Sequence, residues 1–466
     1  MKLTKIFLAL IAVVCATSCN DYLNIEPTGK RIPKNLEDYE PMLRYEYGVH
    51  RFDATQSYYL LNDMYLTNSY AGYYPMYKIN FNWDESGDRA YYNSSDEGTY
   101  YNTYGVISTC NLILEDVPGI QNAPEQDKKE VMAYARVIRA EAYYLLVNYY
   151  ANAYDKANAA NTSGVPLITS AAVNAPYEQV SVQKIYDFII QDINDALPDL
   201  PAMGTTILHP GKGSAYAMLA RVNLTMGNYE QALSYADQAL AVKADLYDWR
   251  AYYETNKGTI VPEGVYTTTK SPMDHKFCEN YNFHHATSSS SASGKRVPVD
   301  RMKMFEEHDA YALSSWKYRV QGSDISYVAI QSGYFNYGGC RTVEQYLIKA
   351  ECLARANKIN EAMDLLNKVR ETRILKDNYK PLTAASQDEA LTLIRQRKDN
   401  ELMFSIVPFA DARRFNIEGR NNRTFSKEVD GKTVTLTPQS HMWTFPFPLG
   451  AIANSGNGKI TQNVEK

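Results

Sequence analysis

Beyond its first eighteen residues, this chain of 466 lacks any unbroken apolar run of about eighteen residues, so no later segment is built to cross a bilayer as a helix. It also lacks an excess of basic charge. Lys and Arg number 48 against 53 Asp and Glu, a formal net charge of −5, whereas nucleic-acid binding calls for a basic stripe. Cysteine is scarce, six in all, and no two form a CxxC pair, so a zinc site is not indicated. The nucleophile elbow G-x-S-x-G, the metal pair H-E-x-x-H, the phosphate loop and the dinucleotide-binding glycine pattern are all missing. Asp84, Glu85 and Asp88 do not follow the calcium-loop spacing and read as a solvated acidic stretch. No metal and no cofactor is expected.

Tyrosine is abundant instead, 39 against 14 phenylalanines, with seven Tyr-Tyr pairs that include Tyr73-Tyr74, Tyr91-Tyr92 and Tyr100-Tyr101. A tyrosine offers a flat apolar face and a polar tip, which suits a wet recognition surface. Those in helical patterns, such as Tyr143 and Tyr144, read as packing residues. The N-terminus is equally informative. Lys2 and Lys5 precede the apolar run Ile6 to Ala16, and small Ala16, Thr17 and Ser18 lead into Cys19. This is the layout of a lipoprotein signal over residues 1–18, with Cys19 as the acylated residue and a lipid, not a helix, as the anchor. Bulky Val13 and Val14 make Cys15 the poorer acceptor. Without Lys2 and Lys5 the formal charge becomes −7.

Two helix-turn-helix units stand out, over residues 214–240 and 344–370. Ala220 and Ala232 in the first, and Ala350 and Ala362 in the second, are each twelve residues apart, where small side chains let antiparallel helices approach. The pattern is similar to the tetratricopeptide repeat. Further amphipathic helices are expected over 126–150, over 181–197 with Ser181 as cap, and over 386–404 from Ser386. Residues 55–105 and 251–340 read as long irregular insertions, and 286–294 as a loop. Cys352 reads as a small buried residue; Cys110, Cys278, Cys340 and Cys352 cannot be paired from sequence.

Four motifs in order then resemble the SusD/RagB lipoproteins. They are CNDYLNIEPTGK at 19–30; Asn367, Val369, Arg370 and Arg373 after the second repeat; Glu401, Leu402, Phe404, Asp411, Arg413 and Arg414; and Pro446, Pro448, Asn454, Gln462 and Asn463 near the end. Arg397-Lys398 and Ser405-Ile406 depart from the family's usual residues. The resemblance implies a mostly α fold, one domain over 19–466, with tetratricopeptide-like helix pairs within about 126–240 and 343–404 forming a superhelical scaffold. It also implies long irregular loops and a few short strands. It implies an outer-membrane lipoprotein facing the cell exterior, set on a SusC-like TonB-dependent transporter, that binds oligosaccharide. RagB-like members imply peptide as the alternative ligand. A third reading is a repeat-based interaction protein without a small ligand.

Sugar recognition needs flat apolar faces and polar groups for hydroxyls. Within 70–93, Tyr73, Tyr74, Tyr77 and Trp83 are the candidate binding residues, and Tyr281 within 277–285 is the second-site candidate. Trp316 reads as packing. Asp411, Arg413 and Arg414 read as a latch between the last helix and the C-terminal segment. Paired glycosidase carboxylates leave no fixed signature, but the repeat scaffold argues for a protein that is not an enzyme.

Overall fold

The computed structural model describes residues 33–43, 52–93, 98–259, 271–284, 295–330, 333–456 and 458–464. The leader, Cys19, residues 20–32 and the 286–294 stretch lie outside the described residues. Five short helices come first: α1 (Leu36–Leu43), α2 (Thr55–Leu60), α3 (Asn68–Tyr73), α4 (Pro75–Asn82) and α5 (Arg89–Tyr92). Long α6 (Gly98–Asp116) and α7 (Glu125–Tyr150) follow, then the antiparallel pair β1 (Ser163–Leu167) and β2 (Glu178–Ser181), α8 (Val182–Ala196), α9 (Lys212–Thr225) and α10 (Tyr229–Val242). Next come α11 (Trp249–Asn256), α12 (Val299–Met302), α13 (Ala310–Ser315) and a sheet of β3 (Arg296–Val297), β4 (Trp316–Gln321) and β5 (Asp324–Ala329) in the order β3-β5-β4. The chain finishes with α14 (Thr342–Arg355), α15 (Ile359–Glu371), α16 (Gln387–Glu401), α17 (Val407–Glu418), the hairpin β6 (Ser426–Val429) and β7 (Lys432–Thr435), and α18 (Leu449–Ala453).

The two repeat units are the helix pairs α9–α10 and α14–α15, and α10 packs on α14. Ala220, Ala232, Ala350 and Ala362 are all fully buried. Ala220, Ala232 and Ala236 join Ile348 and Cys352 in one apolar cluster between the units, which accounts for the small thiol at Cys352. Each pair turns through a left-handed residue, Gly227 (φ 74°) in the first and Asn357 (φ 59°) in the second, the two residue types that adopt this conformation most readily. A buried fork ties the units: Nε and Nη2 of Arg221 on α9 each donate at 2.7 Å to one of the two carboxylate oxygens of Glu344 on α14. The expected caps are present. Ser181 Oγ accepts from the Lys184 amide at 3.3 Å, and Ser386 Oγ from the Glu389 amide at 3.1 Å.

The arginines of the sequence motifs belong to the frame. Arg373 donates to Glu279 at 2.7 Å and to Glu401 at 2.9 Å, and Arg397 reaches Glu401 at 2.5 Å and Asp309 at 2.6 Å, all of them buried. The proposed latch has different partners from those expected. Arg414 pairs with Glu351 on α14 and with Asp411, while Arg413 donates to the carbonyls of Asn148 and Ala151 at the end of α7. These arginines hold helix to helix. The C-terminal segment is held by amides and by Arg89, whose guanidinium donates to the carbonyls of His441, Met442 and Thr444. Asn93 donates to Pro446 O at 2.6 Å, and Asn463 donates to Tyr150 O at 2.6 Å and to Phe445 O at 2.8 Å. Free carbonyls of an extended segment need donors, and amide and guanidinium groups supply several N–H donors at once.

Among the described residues, the interval 55–105 is largely helical and not irregular. Its helices have four to eight residues up to α5, too few turns for a 3.6-residue period to show in the sequence, and its polar composition supplies the caps: Thr67 for α3 and Asp88 for α5. Within 251–340 the described residues include α11–α13 and the three-stranded sheet. Among the described residues no disulfide joins Cys110, Cys278, Cys340 or Cys352. Trp316 packs as expected, stacked on Phe335 at 6.3 Å.

Candidate functional site

Proline 75 makes the site. It cannot extend α3, and it pushes the preceding residue out of the helical region, so Tyr74 has φ −126° and ψ 81° and the chain restarts with Pro75 as the first residue of α4. The resulting elbow between two short helices puts Tyr70, Tyr74 and Tyr77 in line. Their rings stack in sequence, Tyr70 on Tyr74 at 5.5 Å and Tyr74 on Tyr77 at 5.0 Å, and Tyr77 rests on Tyr59 of α2 at 4.5 Å; every interplanar angle is 28–29°. The ladder is anchored at one end and open at the other. Tyr59 is buried, and burial pushes its hydroxyl pKa up strongly; Tyr77 is half-buried; Tyr74 is 47 % exposed and Tyr70 more so. The elbow itself is pinned to the β4–β5 turn, where Asn68 Nδ2 donates to Ser323 Oγ at 2.9 Å.

A groove of about 350 Å³ runs beside the ladder, lined by Tyr73, Tyr74, Tyr77, Tyr92, Asp53 and Gln56 among others. That volume is within the range of small-ligand sites. Tyr73 is the most exposed of the rings at 79 %. Polar groups are held in place around it. Asp53 accepts from the amide and hydroxyl of Thr55 at 2.8 and 2.6 Å, and Gln56 Oε1 accepts from Asn80 at 2.8 Å. The wall combines exposed aromatic faces with fixed hydrogen-bonding groups, the combination a sugar ring or a peptide requires.

The five candidate residues therefore separate. Tyr73, Tyr74 and Tyr77 converge on this groove. Trp83 and Tyr281 do not join them, and neither is exposed as a surface site requires. Trp83 is 4 % exposed, donates its indole N–H to Leu60 O at 2.7 Å, and meets Phe425 edge-on; it caps α4 in a left-handed conformation (φ 55°). Tyr281 is 1 % exposed with its hydroxyl donated to Lys243 O at 2.6 Å. Its neighbour His284 is equally buried, 2.6 Å from Glu141. Large aromatics in short polar segments were packed because a main-chain carbonyl stood within reach of each polar tip.

On the other face of α4 is a larger cleft, about 1050 Å³, with Trp83 and Phe81 on its floor and the β6–β7 hairpin as its far wall. Sequence reasoning missed this hairpin. Its signal was present: Asp430-Gly431 between alternating residues, both at positive φ (50° and 76°), with Val429 paired to Lys432. Lys427 on β6 reaches across the cleft. Its Nζ donates to Asn62 Oδ1 at 2.7 Å and to Phe81 O, and lies 3.8 Å over the Phe81 ring and 4.6 Å over the Trp83 ring.

Comparison with known proteins settles the family. Residues 21–224 match the family model described as starch-binding associating with outer membrane, and residues 327–465 match that of the SusD family. The chain belongs to the SusD/RagB family. It is 23 % identical over 367 residues to SusD-like protein P2 of Formosa agariphila, covering 67 % of this chain and 70 % of that one. Among solved structures it resembles a SusD superfamily protein from Bacteroides thetaiotaomicron (TM-score 0.66, 16 % identity), over 92 % of this chain and all of the other. It likewise resembles a SusD-like carbohydrate binding protein from Bacteroides vulgatus (TM-score 0.64, 19 % identity), over 93 % of this chain and all of the other. At these identities the solved structures establish a shared SusD fold.

Proposed function

We propose that this SusD-family chain is a cell-surface lipoprotein that captures an oligosaccharide on the tyrosine groove and delivers it to a SusC-like TonB-dependent transporter. The observation that carries the reading is the four-rung ladder Tyr59–Tyr77–Tyr74–Tyr70, buried at its base and exposed at its tip, with Tyr73 beside it. The buried base fixes the outer rings before a ligand arrives, which lowers the ordering cost of stacking on them. Asp53 and Gln56 supply acceptors and donors for hydroxyls. The family description and the carbohydrate-binding relative of the same fold support glycan as the ligand class. Cys19 would carry the lipid, and the segment after it would lead to α1, whose Tyr39 is bonded to Asp116 at 3.0 Å.

Calorimetry against a panel of oligosaccharides tests this. A member of the panel should bind, and Tyr74→Ala should weaken it by about tenfold, the worth of one aromatic pair. Binding unchanged in both Tyr73→Ala and Tyr74→Ala would move the site elsewhere. Peptides co-purifying with the protein, with no glycan bound, would transfer the groove to a peptide ligand. Cys19→Ala should leave binding intact and release the protein from the membrane fraction.

A further inference from the structure

The second cleft has a charge character unlike the chain as a whole. In a protein of net charge −5, two ammonium groups line it without a carboxylate partner among the described residues: Lys427 on β6 and exposed Lys78 on α4. The other charges around it are accounted for. Arg301 and Arg423 both bond to Asp63, at 2.6 and 3.1 Å, and Asp300 is paired with Lys303 at 2.7 Å. Glu428 and Asp430 are exposed at the hairpin turn. Lys427 is half-buried, and two neutral oxygens and two aromatic faces surround its Nζ. An ammonium has three N–H donors, and two are used. A buried cation without a counter-ion is costly, and an anion entering the cleft would remove that cost.

We propose that the cleft between α4 and the β6–β7 hairpin is a subsite for the anionic substituent of a saccharide, a uronate carboxylate or a sulfate ester, received by Lys427 and Lys78. The proposal rests on the glycan reading above, because the cleft and the tyrosine groove flank the same helical elbow and one chain could span both. It also sets a pH dependence. Burial pushes the Lys427 pKa down to about 7, so its charged fraction falls across neutrality, and a bound anion restores the proton. Lys78, Arg301, Arg423, Asp300, Glu428 and Asp430 are the other charged groups lining the cleft.

The test is a set of matched pairs: oligogalacturonate against its methyl ester, and sulfated galactan oligomers against their desulfated forms, titrated calorimetrically at pH 6 and pH 8. At least one anionic member should bind about tenfold more tightly than its neutral counterpart, and more tightly at pH 6 than at pH 8. Lys427→Met should abolish the difference and Lys427→Arg should keep it at both pH values, each variant being checked by its melting temperature. Should Met destabilise the hairpin, Lys78→Met, at a surface position, should reduce the preference for the anionic member while leaving its pH dependence in place. Saccharide binding with no preference for charge would overturn the subsite while leaving the glycan reading in place. No binding of any saccharide, charged or neutral, would overturn both.

Discussion

Tyrosine is used in opposite ways on the two sides of this molecule. Along α7, Tyr143, Tyr144, Tyr149 and Tyr150 are buried, and their hydroxyls are spent inward: Tyr143 on Ile168 O at 2.8 Å, and Tyr144 at 3.0 Å from Thr225 Oγ1. On the elbow of α3 and α4, Tyr70, Tyr73 and Tyr74 lie open to solvent. The residue is the same; the surroundings differ. The second half of the 26-residue helix α7 is buried throughout, packed by α6, α8 and the C-terminal segment, whereas α3 has six residues and none of them is buried. Continuous coverage turns tyrosine into core, and a short helix ended by proline leaves it as surface.

The contrast can be broken first from the scaffold side. Arg373→Ala should leave Glu279 buried without its 2.7 Å partner and Glu401 with Arg397 as its close partner, and destabilise the protein by about 3–5 kcal/mol, read by chemical denaturation. A loss under about 1 kcal/mol would mean that the network is ornamental. The same network sets an acid limit. Burial alone would raise the Glu401 carboxyl, but Arg373 and Arg397 outweigh it and hold its pKa at about 2. The unfolded value is near 4.5, so this contribution is complete above about pH 4.5 and is lost as pH falls towards 2. Arg373→Ala should therefore flatten the acid limb of the stability profile.

A smaller effect is expected at the helix-pair contacts. Ala350→Leu forces extra methyl groups between α14 and its neighbours and should cost about 1–3 kcal/mol, seen as a lowered melting temperature. Tyr73→Ala is expected to alter stability by less than about 0.5 kcal/mol while weakening ligand, and a large stability loss there would assign the ring to the core.

Much of the frame was legible. The twelve-residue alanine spacing marked both helix pairs, and Ser181 and Ser386 marked two helix starts; Arg373 and Glu401 stood in the motifs that carry the resemblance, but the buried ion network they form was not read from them. The candidate site was legible only in part. Tyr73, Tyr74 and Tyr77 share a groove, but Trp83 and Tyr281, drawn from the same kind of polar, aromatic segment, are buried. Exposure of a large aromatic depends on whether a distant element covers it, here Phe425 for Trp83 and the end of α10 for Tyr281, and no local pattern records that. The Asp430-Gly431 turn was the missed local signal, and with it the wall that brings Lys427 over Phe81 and Trp83.

Local chemistry alone determined the helix pairs and their caps and turns, because spacing, small residues and capping groups act within a few turns of chain. Tertiary structure decided which tyrosines form the ladder, which aromatics are sealed, and where an ammonium stands without a counter-ion. Each of those is a contact between residues far apart in the chain, Lys427 with Asn62 or Arg89 with Thr444, and such contacts depend on how completed elements pack.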